Sequence, residues 1–84
     1  MEKYTLIYSR WSEGRMALDI TERFPTKESA YLALARDILD LAEKSSRDDP
    51  DQIKLWVDAP SGRRLTRVEL DVGTLAKAFE KKPR

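Results

Sequence analysis

The chain has 84 residues, one domain near the lower size limit for unaided folding, where about 60% of the unfolded chain's surface can be buried. Sixteen Lys and Arg against fifteen Asp and Glu leave a formal charge of +1, so bulk electrostatics give no reason to expect attraction to nucleic acid or membranes. Cysteine and histidine are both absent, which excludes disulfides, thiolate or imidazole metal ligands, and Ser-His or Cys-His nucleophile pairs.

The first strand candidate, "KYTLIYSRW" (Lys3 to Trp11), is apolar or aromatic on both parities. Tyr4, Leu6 and Tyr8 point one way, Ile7 and Trp11 the other. "RMALDIT" (Arg15 to Thr21) alternates cleanly, with Met16, Leu18 and Ile20 against Ala17, Asp19 and Thr21, the period of a half-buried strand. A two-residue Glu13-Gly14 loop between them, with Gly14 at positive φ, sets Trp11 opposite Met16, Ser9 opposite Leu18 and Ile7 opposite Ile20. Opposed residues share a face. This register turns Ile7, Trp11, Met16, Leu18 and Ile20 to the core and leaves Tyr4, Leu6, Tyr8 and Arg10 outside, beside Ala17, Asp19 and Thr21.

"FPTKESAYLALARDILDLAEKSS" follows. Pro25 discourages helix at Phe24, Thr26 is the expected N-cap, and Glu28 complements the helix dipole. Tyr31, Leu34, Ala35, Ile38, Leu41 and Ala42, flanked by Leu32 and Leu39, form a helical apolar stripe. Asp40 with Lys44 and Glu43 with Arg47 are acid-before-base pairs on the outward side. "RDDPD" turns the chain, and the carboxylates at Asp48, Asp49 and Asp51 lack the spacing of a calcium loop. "QIKLWVD" alternates Ile53, Leu55 and Val57 against Lys54, Trp56 and Asp58. "APSG" is turn chemistry, and "RRLTRVEL" returns. A four-residue loop would pair Ile53 with Val68, Leu55 with Thr66 and Trp56 with Leu65. The last segment, "DVGTLAKAFEKKPR", puts Val72, Leu75, Ala76 and Phe79 on one face of a short helix that Gly73 weakens and Pro83 closes.

The order predicts an α+β fold, ββαββα, over residues 1–84 as a single domain. It has an antiparallel sheet of four strands, the long helix on one face, and a short C-terminal helix. "EGR" and "SGR" at equivalent turns, and Tyr8 matching Trp56, hint at two ββα repeats. In this register the outer face carries Tyr4, Leu6, Tyr8, Trp56 and Leu65 among Arg10, Lys54 and Arg67. Clustered exposed apolar groups of that kind mark contact sites. The C-terminal helix could cover the face, a protein or second copy could dock on it, or its rings could stack single-stranded nucleic acid.

The expectation is a non-catalytic protein-binding module, an adaptor, inhibitor or accessory subunit, in which Tyr4, Tyr8, Arg10, Trp56 and Arg67 contact the partner. Single-stranded RNA or DNA is the alternative ligand. No catalytic residue, metal site, cofactor or small-molecule substrate is expected. No apolar run approaches the length of a membrane span and the first residues do not read as a signal peptide, so a cytoplasmic location without membrane contact is expected.

Overall fold

The computed structural model describes residues 3–80. In chain order the elements are β1 (Tyr4–Ser12), β2 (Arg15–Phe24), α1 (Lys27–Lys44), β3 (Gln52–Asp58), β4 (Arg64–Asp71) and α2 (Val72–Phe79). The strands form one antiparallel sheet in the order β2-β1-β3-β4, which is the ββαββα arrangement expected from the sequence. Pro83, read as the stop of the last helix, lies outside the described residues.

The first hairpin turns at Glu13 and Gly14, with φ of 53° and 78°. Two consecutive left-handed residues give the twist that flanking strands require. Trp11 stands opposite Met16, as the turn dictates, but Arg10 then faces Leu18. Ala17 is therefore an extra residue, a β-bulge, and beyond it every pairing is displaced by one. Tyr8 rather than Ile7 meets Ile20, and Leu6 meets Glu22.

The central pairing decides which face of β1 is covered. Leu6 lies opposite Val57, Tyr8 opposite Leu55 and Arg10 opposite Ile53. The alternation of β3 admits only one inward face, so Tyr4, Leu6 and Tyr8 join it beneath the helices. Leu6, Ile53, Leu55 and Val57 are buried with Ala30 and Leu41 of α1 and Val72 of α2, and Tyr4 and Tyr8 pack against that cluster. The expected placement of Tyr4, Leu6, Tyr8 and Arg10 on the outer face is thus reversed, and Ile7 and Trp11 take their place.

Between β3 and β4 the chain turns through Pro60-Ser61-Gly62. The Ala59 N–H donates to the Arg63 carbonyl, the Gly62 N–H donates to the Ala59 carbonyl (both 2.8 Å), and Gly62 has a φ of 92°. Ile53 pairs with Leu70, Leu55 with Val68 and Trp56 with Arg67. This is a two-residue slip from the expected register, and an even slip keeps every facing. A second irregularity between Val57 and Asp58 leaves Leu65 as the extra residue. Leu65 packs against the core cluster instead of joining the outer face.

Helix α1 starts where expected. The Thr26 hydroxyl accepts from the Ser29 N–H, and the Ser29 hydroxyl accepts from the Thr26 N–H, a reciprocal capping box. Asp40 and Lys44 pair at 3.1 Å, whereas Arg47 reaches Glu80 rather than Glu43. Leu32 and Leu39 stay exposed on the outward side. Helix α2 packs beside α1 and against β4, with Val72 in the common core, so both helices lie on one face of the sheet. The other face carries no helix among the described residues. Tyr8 belongs to the covered face and Trp56 to the open one, which removes the proposed repeat correspondence between them.

Candidate functional site

Two surfaces concentrate side chains with chemistry to offer. The first is the open sheet face. Alternation sends Ile7, Ser9 and Trp11 of β1 there, with Lys54 and Trp56 of β3 and Arg67 of β4. Its rings are already occupied by cations of the same chain. Lys54 Nζ sits 4.5 Å from the centroid of Trp11, and the Arg64 guanidinium carbon sits 4.5 Å from that of Trp56, both within cation–π range. The Trp11 indole N–H donates to Ser9 Oγ at 3.1 Å, and Ser9 is fully buried. The Trp56 indole N–H is buried without a hydrogen-bond partner. Arg64 is also held by Asp58 at 3.0 Å, and Arg67 is paired with Glu69. The rings are part of a self-sealed layer over the sheet.

The second surface is a groove of about 690 Å³ between α1 and β2. It exists because the helix side of β2 stays exposed from Leu18 to Glu22 alongside α1. Leu18 and Ile20 are on the helix side of β2 yet remain 44% and 43% exposed. Leu6, Tyr8 and Leu41 continue the apolar lining, and Glu22, Asp37 and Asp40 supply carboxylates.

Arg10 borders this groove but its charge is consumed. Its Nε donates to Asp51 at 2.7 Å and its Nη2 to Asp49 at 2.8 Å. The Asp51 hydrogen bond raises the Arg10 pKa above its ordinary value despite partial burial. The same bond, with one from Ser12, holds the Asp51 carboxyl below its ordinary value. The acid cluster of the turn is thus an internal counter-charge that ties β1 to the segment leading into β3. No group of three or more metal-ligating side chains converges among the described residues.

Asp37 is the opposite case. Partial burial, then the neighbouring charges of Glu22 and Asp40, raise its pKa. The fold therefore favours the protonated form. Its stabilising effect is complete below the unfolded pKa and is lost as pH rises through the folded one. Asp37→Asn should accordingly raise the thermal midpoint at neutral pH, and the gain should vanish in acid. Melting curves of both proteins across pH would show it, and a gain independent of pH would assign the effect to packing.

Of the five residues expected to contact a partner, Trp56 and Arg67 lie on the open face, while Tyr4, Tyr8 and Arg10 lie on the helix side. Tyr8 and Arg10 border the groove; Tyr4 packs against the core. The carboxylates of the first hairpin, Glu13, Asp19 and Glu22, do not converge: Glu22 faces the groove and Asp19 the open side. The groove floor, Leu18 and Ile20, escapes sequence reasoning because clean alternation reads those residues as core. One signal was present: Asp37 stands at helical spacing between Leu34 and Leu41, a carboxylate within the apolar stripe.

Chemically the groove offers apolar contact area with negative charge at its rim. No helix is long and apolar enough to cross a membrane among the described residues. No protein-family model, curated protein or solved structure matches the chain.

Proposed function

We propose that this chain is a small non-catalytic module that binds another protein, with the α1–β2 groove as its working surface. The observation that carries the proposal is the pairing of an exposed apolar floor, Leu18 and Ile20, with carboxylates that have no counter-ion. Asp40 is neutralised by Lys44, but Glu22 and Asp37 take part in no ion pair among the described residues. The fitting partner is an apolar segment bearing Lys or Arg, since clustered apolar exposure marks contact sites and complementary charge selects the partner. The cytoplasm is where we place this activity.

The same reasoning favours protein over single-stranded nucleic acid. A base-stacking platform needs free ring faces near unpaired cations. Here Trp11 and Trp56 are capped by Lys54 and Arg64, and Asp19 and Glu69 stand on the same side. Affinity capture from native lysate, with and without nuclease, tests the proposal on three immobilised proteins: wild type, Asp37→Lys/Asp40→Lys, and Lys54→Glu/Arg67→Glu. The wild type and the open-face variant should retain the same proteins regardless of nuclease, and the groove variant should lose them. Loss confined to the open-face variant, or sensitive to nuclease, would sink the groove assignment.

A further inference from the structure

We infer that two copies of this chain join through antiparallel pairing of their β2 strands about Thr21, extending the four-stranded sheet to eight. The inference concerns main-chain pairing at the free edge of β2; it adjoins the groove floor, since Leu18 and Ile20 belong to the same strand, but does not depend on the identity of any groove partner.

Strand β2 is an outer strand of the sheet, ten residues long and exposed throughout except at Phe24. Natural edge strands are usually blunted by charged side chains, Lys above all, by Pro, by bulges or by shortness; β2 contains neither Lys nor Pro, and its open-face charges between the bulge and Phe24, Asp19 and Arg23, are of opposite sign. Its one interruption, the bulge at Ala17, lies near the hairpin end and leaves Leu18 to Phe24 regular. The opposite edge is managed: β4 carries the Arg64–Asp58 and Arg67–Glu69 pairs and is flanked by α2. The charged side chains of β2, in contrast, enter no ion pair among the described residues.

Charge complementarity selects a second copy as the occupant and fixes its register. A two-fold axis through Thr21 sets Asp19 opposite the partner's Arg23, and does so twice, on the open face. On the helix face it sets Leu18 opposite the partner's Phe24 and Ile20 opposite the partner's Glu22, with the two Ile20 side chains diagonal across the axis and within reach of each other. An axis through Asp19 would oppose that carboxylate to itself and Arg15 to Arg23. An axis through Ile20 would leave every charge without an opposite. The resulting interface is isologous, the commonest kind in homodimers, and main-chain hydrogen bonds along both edges supply its affinity.

Molar mass by light scattering over a dilution series tests the pairing. The wild type should weigh twice the chain. Asp19→Arg alone and Arg23→Asp alone should each weaken dimerisation at least tenfold, and the double exchange should restore it. Because the chain has no cysteine, Thr21→Cys provides a second readout. Cα separations across antiparallel pairs, about 4.5–5.5 Å, match disulfide geometry, so mild oxidation should cross-link Thr21→Cys far faster than Ser61→Cys at the hairpin tip. A monomeric wild type at every concentration would overturn the inference. So would single exchanges that dimerise unchanged, or cross-linking at Thr21 no faster than at Ser61.

Discussion

Replacing Leu6 with alanine should remove about 2–5 kcal/mol of stability, the usual cost of a large-to-small change in a packed core, whereas Ile7→Ala should cost about 1 kcal/mol. A domain of this length has roughly 4–13 kcal/mol in total, so the first variant should lose a large part of its folded range and the second very little. Leu6 is 1% exposed among Val57 and the helix residues of the core. Ile7, the adjacent residue, stands on the open face, where its truncation creates no enclosed cavity. The hairpin register without a bulge makes the opposite assignment, with Ile7 inside. Chemical denaturation of the two variants therefore reads the parity of β1 directly. Equal losses, or a larger loss at Ile7, would show that the Leu6 side of β1 does not face the helices.

Gly73→Ala should destabilise by about 1–3 kcal/mol, as overpacking does. Glycine inside a helix is ordinarily the worse residue by about 0.5–1 kcal/mol, so propensity alone gives the change the other sign. A Cβ at position 73 would lie 2.6 Å from the Arg47 carbonyl oxygen and 2.8 Å from that of Asp49, distances that backbone atoms cannot yield to without movement. Little slack exists there. The Val72 N–H donates to the Asp51 carbonyl at 2.9 Å, Asp49 and Asp51 both grip Arg10, and the Asp51 N–H donates to Asp49 Oδ1. Moving α2 away from this segment pulls Val72 from the core. A lower denaturation midpoint, with faster hydrogen exchange at Val72, is the expected result. A stabilised Gly73→Ala protein would mean that α2 does not sit against the 45–51 segment.

The candidate site was less legible than the fold, and for a physical reason. Exposure of Leu18 and Ile20 depends on how far α1 reaches across the sheet, and no local pattern encodes that reach. Trp56 and Arg67 reached the expected face because β3 alternates without ambiguity and β4 slipped by an even number of residues. Tyr8 and Arg10 did not, because one inserted residue on the neighbouring strand is enough to exchange faces. The carboxylates at Asp49 and Asp51 had the composition of a solvated turn. Their role as counter-charge to Arg10, some forty residues earlier, appears only once β1 and β3 lie side by side.

By itself the sequence determined what local chemistry can determine. Thr26 caps α1, the apolar stripe from Tyr31 to Ala42 gives it a buried side, Glu13-Gly14 closes the first hairpin, and the element order follows. Tertiary structure decided which face of β1 is covered and what Gly73 is for. Strand β1 is apolar on both parities, so its own pattern is degenerate. The choice passes to β3, whose single apolar face must be buried, and to the backbone contact that only a residue without a side chain allows.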